Sequence, residues 1–195
     1  MPNSKRLACE SEIYHLTARG VGRMNIFEDD GDYFEFMRML TRAFQNGSID
    51  LFAWCLMSNH VHLLVHGALT DISGAMKSSL SVYASFFNAK HGHAGHVFQG
   101  RFGSVPIIDD GQLISAVRYI HLNPEEAGIC SFTEYQWSSY REYLGEAEYV
   151  DPSKLLELLG GLEQFLCLHA ERGEDPYCVT QIDVYKRQVL WRWVR

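Results

Sequence analysis

Residues 49–66 read Ile49-Asp50-Leu51-Phe52-Ala53-Trp54-Cys55-Leu56-Met57-Ser58-Asn59-His60-Val61-His62-Leu63-Leu64-Val65-His66. Two apolar runs of strand length flank the short Ser58-Asn59 break, which is the pattern of a tight β-hairpin. The reading is a buried strand over 49–57 and a second strand over 60–66. Side chains two apart on a strand share a face, so His60 and His62 project together while Val61 turns into the core.

Upstream, Ile13 to Ala18 alternates and is rich in aromatic and β-branched residues, which predicts a first strand. A glycine-punctuated turn, Arg19 to Arg23, follows it. From Asp30 to Asn46, Tyr33, Phe36, Met37, Leu40, Ala43 and Phe44 recur at helical spacing, with Asp30 as cap and Asn46-Gly47 as stop. Downstream, Asp71 to Asn88 reads as a second amphipathic helix and Lys90 to Gly100 as a polar loop rich in glycine and histidine. A short strand is expected at Val105 to Ile108. Asp109-Asp110 then caps a helix from about Gly111 to Asn123, with Pro124 just past its end. The order strand, helix, strand, strand, helix, strand is the split β-α-β unit of a ferredoxin-like α+β fold. It implies an antiparallel sheet with helices on one face, an extra helix at 111–123, and a C-terminal helical appendage over Pro152 to His169.

The chain has 195 residues, of which 47% are hydrophobic and 21% charged. That suits one domain with an appendage and excludes a disordered chain. The longest apolar runs fall short of a membrane span, and Met1 to Glu12 has no apolar signal core, so the expectation is a cytoplasmic protein without membrane contact. The five cysteines are odd in number and contain no Cys-x-x-Cys pair, which argues against a disulfide framework or a zinc knuckle. A net charge of −7 disfavours a general nucleic-acid coat protein but not an enzyme whose basic groups line one groove.

Two constellations carry chemistry. Paired imidazoles at His60 and His62 can hold one divalent metal, the alternative being two unrelated half-buried histidines. Tyr119 and Asn123, four apart on a helix, share one face. They read either as a packing tyrosine and an asparagine cap, or as a phenol nucleophile with an amide oxygen completing a metal site. Tyr83 lies in the apolar stripe of its own helix and reads as core. His91, His93 and His96 form a second histidine cluster, read as a DNA-contacting or solvated loop. His121, about 200° round the helix from Tyr119, points away from it. Arg19, Arg23, Arg101 and Arg118 are candidates for phosphate contact, with surface ion pairs as the alternative.

These segments occur in a recognisable order: Tyr14-His15-Leu16-Thr17-Ala18-Arg19-Gly20, Ile26-Phe27-Glu28-Asp29, Met57 to Leu64, Phe98-Gln99-Gly100-Arg101-Phe102, Arg118-Tyr119-Ile120-His121-Leu122-Asn123-Pro124, Ala127-Gly128 and Trp137-Ser138-Ser139-Tyr140. Together they resemble the single-tyrosine HUH transposases, specifically the REP-associated tyrosine transposase branch, over about Ile13 to Tyr143. The resemblance implies that Tyr119 is the nucleophile and that His60, His62 and Asn123 hold Mg²⁺ or Mn²⁺. It implies cleavage and rejoining of single-stranded or hairpin DNA through a 5′-phosphotyrosine. A domesticated hairpin-binding protein without cleavage is the alternative. Relatives acting as monomers and as homodimers leave both states open. On this reading residues 13–143 form the transposase domain and 144–174 a helical tail, while the aperiodic 175–195 are set aside as non-native or disordered.

Two positions depart from the family pattern. Ser58 stands where proline is usual, which is expected to loosen the turn before His60, and Gly103 stands where lysine is common, removing a phosphate contact. The acidic balance further implies weak, salt-sensitive binding outside the specific site.

Overall fold

A computed structural model describes residues 7–170 of the protein, so the expectation for residues 175–195 lies outside the described residues. The elements run β1 (Ile13–Arg19), α1 (Asp30–Asn46), β2 (Asp50–Met57), β3 (His60–His66), α2 (Leu69–His91), β4 (Gly103–Pro106), α3 (Asp110–Glu126), α4 (Pro152–Leu159) and α5 (Leu162–Ala170), with a 3₁₀ turn at Ser139–Leu144 before α4. The sheet is antiparallel in the order β2-β3-β1-β4, the arrangement expected of the ferredoxin-like α+β fold. The β2-β3 hairpin closes through Ser58-Asn59 as read from the sequence.

Strand register sorts the residues onto two faces. Thr17 pairs with His62, Arg19 with His60 and Cys55 with His62, so these side chains share a face with His15. Helix α3 packs on β2 and β3, and Tyr119 lies against His62 on that same face. Leu16, Ala18, Val61, Leu63 and Val65 turn the other way and are fully buried, as are Phe36, Met37 and Leu40 of α1 and Ile72, Met76 and Tyr83 of α2. The main core therefore sits between the sheet and α1/α2, and the extra helix α3 takes the opposite face.

Helix α2 runs longer than the expected 71–88, taking Lys90 and His91 out of the expected loop, and four other boundaries differ for a local reason. The cap of α1 is Asp29 rather than Asp30, in a reciprocal box in which Asp32 returns the bond to the cap backbone. The fourth strand runs 103–106 rather than 105–108, because its partner β1 begins at Ile13 and the ladder runs out there. Pro124 lies inside α3, whose last turn continues to Glu126 with the Ala127 amide donating to the Asn123 carbonyl. A proline there removes one helical bond without preventing a further turn. The appendage expected as one helix over 152–169 is two, broken at Gly160 and Gly161, both left-handed at φ 86° and 109°.

The appendage is fastened to the domain. Phe165 of α5 stacks on Tyr140 and Tyr143 of the 3₁₀ turn and meets His121 of α3 edge-on.

Candidate active site

The site is built where the β2-β3 turn, the end of β1 and the second half of α3 meet. The turn is held from outside: the Gly20 amide donates to the Asn59 carbonyl at 2.9 Å, and the Ile26 and Phe27 amides donate to the Ser58 carbonyl. These bonds use backbone carbonyls alone, so Ser58 accepts them as a proline would. Gly20 cannot be another residue in this conformation, because a Cβ would lie 2.2 Å from the Met24 carbonyl oxygen.

His60 and His62 stand side by side, ring centres 4.9 Å apart and nearly perpendicular. Their protonation patterns follow from their neighbours. The Asn59 amide nitrogen donates to the Arg23 carbonyl, which leaves its oxygen facing His60 Nδ1 at 2.6 Å. Nδ1 of His60 thus carries the proton, and Nε2 keeps a lone pair. His62 Nδ1 lies 2.9 Å from Nε2 of His15, a fully buried residue of β1. Burial lowers His15 to about 3, and burial together with the charge of Arg19 lowers His60 to about 4. Burial and then the neighbours His15, His60 and Arg19 hold His62 well below the usual imidazole range. All three are neutral at neutral pH, the form that ligates metals.

Tyr119, half-buried on α3, places its ring edge-on to His62 at 5.3 Å and to His15 at 5.9 Å. The Asn123 side chain hydrogen-bonds both Tyr119 and His60. Burial raises the phenol above its ordinary range, opposed by the Asn123 bond and the nearby Arg19 charge and reinforced by Glu126. Arg19 reaches the same group, and its buried Nε has no hydrogen-bond partner among the described residues. A buried guanidinium nitrogen left without an acceptor suits an incoming anion. The donor set also fits a divalent ion, with two neutral imidazoles, one tautomer fixed from behind by Asn59, and an amide within reach of both Tyr119 and His60.

The structure thus brings together His60, His62, Tyr119, Asn123 and Arg19. Arg23 and Arg101 are exposed on neighbouring loops, the latter tied in by the Gln99 amide donating to the Arg19 carbonyl. Arg118 is not brought to that surface: it is 8% exposed and its charge acts on His169, on the α5 side of α3. Tyr83 is buried in the core with its hydroxyl donating to the Ile26 carbonyl. His15 is the site residue to which the sequence reading gave no role. Its signal was the alternation of His15, Thr17 and Arg19 against Tyr14, Leu16 and Ala18 along one strand.

A second group, Asp29, Asp32 and His91, has potential ligand atoms within 4.8 Å of one another. It joins the start of α1 to the end of α2, and Lys90 bonds both carboxylates at 2.6 and 2.8 Å, so an ammonium already supplies the positive charge.

No curated protein matches the chain. Among solved structures it is similar to a REP-associated tyrosine transposase bound to a REP hairpin, at 16% identity and a TM-score of 0.63, over 76% of this chain and 88% of the other. It also matches a protein of Deinococcus radiodurans R1 described as a transposase, at 16% identity and a TM-score of 0.41, over 66% of this chain and 98% of that one. The family model for IS200-like transposases matches residues 9–123, a span that runs from just ahead of β1 through Asn123. The chain belongs to the IS200-like transposase family.

Proposed function

We propose that the protein cleaves and rejoins single-stranded DNA at hairpin or palindromic ends, with Tyr119 as nucleophile and His60, His62 and Asn123 as ligands of Mg²⁺ or Mn²⁺. The observation that carries this reading is the convergence, within one chain, of a phenol, two neutral imidazoles and an amide bonded to the phenol and one imidazole. Family membership and the likeness in fold to a transposase solved with a hairpin support it.

Attack of the Tyr119 oxygen on phosphorus forms one P–O bond as the bond to the 3′ oxygen breaks. The phenol gives up its proton and the departing oxygen takes one up, leaving a 5′-phosphotyrosine and a free 3′-hydroxyl. Because the phosphodiester is conserved, rejoining to another 3′ end needs no nucleotide. The ion, when bound, polarises the phosphoryl oxygens under attack. Burial keeps the Tyr119 phenol protonated at neutral pH, while Asn123 and Arg19 both favour the phenolate as it forms. On this reading Arg19 offers its unpaired Nε to a non-bridging oxygen, and the exposed Arg23 and Arg101 contact neighbouring phosphates. Residues 13–143 would carry this chemistry, with the described helices α4 and α5 packed behind it.

The test is incubation with a single-stranded hairpin oligonucleotide and Mn²⁺, resolved on a denaturing gel. A slower-migrating protein–DNA band is expected, lost in Tyr119→Phe and kept in Tyr83→Phe. An adduct that survives Tyr119→Phe overturns the assignment. Hairpin binding without any adduct points instead to a domesticated binding protein.

A further inference from the structure

We infer that α5 helps to aim Tyr119, through an unbroken donor–acceptor chain that ends at His169. The inference rests on Tyr119 being the nucleophile.

His121 lies midway between Tyr119 and Asn123 in sequence, so its side chain leaves α3 on the side turned from theirs. It is fully buried and bonded at both ring nitrogens, Nδ1 to His169 Nε2 at 2.9 Å and Nε2 to Ser139 Oγ at 2.8 Å. The other nitrogen of His169, Nδ1, meets the Phe165 carbonyl at 2.7 Å. A carbonyl only accepts, so this Nδ1 carries the proton and the Nε2 of a neutral His169 must accept. His121 then donates from Nδ1 and accepts at Nε2, and the Ser139 hydroxyl must donate to it. That hydroxyl has one proton, and 2.8 Å to His121 against 3.3 Å to the Trp54 carbonyl assigns it to the histidine. Its oxygen accepts the Trp54 amide at 2.9 Å.

The chain therefore runs from β2 through the 3₁₀ turn and α3 to α5, and each link fixes the direction of the next. Burial keeps His169 neutral, holding it at about 4, so its Nε2 accepts.

On its front side α3 meets the sheet through the edge of the Tyr119 ring on His62 and the Asn123 bond to His60. The anchor behind it fixes the roll of the helix. A roll of about 10° would move a phenol oxygen roughly 8 Å from the helix axis by more than about 1 Å. Misplacement by about 1 Å can cost on the order of 100-fold in rate. His121 and His169 are thus positioning residues, and the C-terminal helix belongs to the working part of the molecule.

The experiment uses the full chain carrying His169→Ala, His169→Gln, which restores an acceptor, or Phe44→Leu, a core change in α1 chosen as a stability control. Two readouts are taken beside the melting temperature. One is the single-turnover rate of adduct formation with Mn²⁺. The other is the fluorine NMR signal of Tyr119 in 3-fluorotyrosine-labelled protein, assigned by its loss in Tyr119→Phe. His169→Ala should slow adduct formation 10- to 100-fold and shift the Tyr119 signal. The glutamine variant should recover most of both, and Phe44→Leu should leave both unchanged despite its thermal loss. Rate and signal in His169→Ala that match those of Phe44→Leu overturn the inference. Should His169→Ala not fold, Ser139→Ala breaks the other end of the chain and carries the same expectations. If the unaltered chain forms no adduct, the nucleophile reading falls, while the fluorine signal still reports whether His169 sets the ring's place.

Discussion

His62 can offer Nε2 to a cation only while its Nδ1 keeps a proton, and the acceptor available for that proton is His15 at 2.9 Å. An acceptor behind a ligating imidazole fixes both its ring orientation and its tautomer. His15→Ala is therefore expected to weaken Mn²⁺ binding by about 10-fold or more, measured by electron paramagnetic resonance titration without any DNA present. Unchanged affinity would mean that His62 needs no partner behind it. The facing of His60 with His62, and of Tyr119 with Asn123, was legible because both pairs obey a single element's period. His15 was not, because it meets His62 diagonally across two strands, and only the register that pairs Thr17 with His62 reveals that neighbour.

Helices α1 and α2 are joined at their ends by Asp32, whose side chain is fully buried and bonded to Lys90, His91 and the Glu28 amide. Burial alone would raise this carboxyl, but Lys90, the Glu28 amide, His91 and the Asp29 amide together outweigh it and hold it below its ordinary range. A carboxyl with a depressed folded value contributes stability above its unfolded pKa and loses it as pH falls through the folded one. Thermal stability should therefore decline below the ordinary carboxylate range, near pH 4 and under. Asp32→Asn should cost about 3 kcal/mol at neutral pH and flatten that acid limb, as followed by circular dichroism melts. The existence of both helices was plain from their apolar spacing. This junction was not, because it links residues about 60 positions apart with no shared period. The break in the C-terminal helix was signalled by Gly160-Gly161, but the continuous leucine periodicity on either side masked it.

Every proposed catalytic group comes from one chain, with Tyr119 already against the histidines of its own sheet. Mixing Tyr119→Phe protein with His60→Ala protein should then yield no adduct, because neither chain holds a complete set. Recovery of the adduct in the mixture, seen on the same denaturing gel, would mean that chains exchange α3. The split sheet and its extra helix could be read from element order, whereas the union of the C-terminal helices with the domain could not, since aromatic packing of Phe165 on Tyr140 and Tyr143 leaves no periodic trace. The double fastening of α3, by His62 in front and by His121 behind, also bears on what the protein can accept. A site whose parts are already fixed leaves adjustment to the guest. An unpaired backbone, pliant at each phosphate, can bend to meet such a mould, whereas a duplex pays elastic energy for the same curvature.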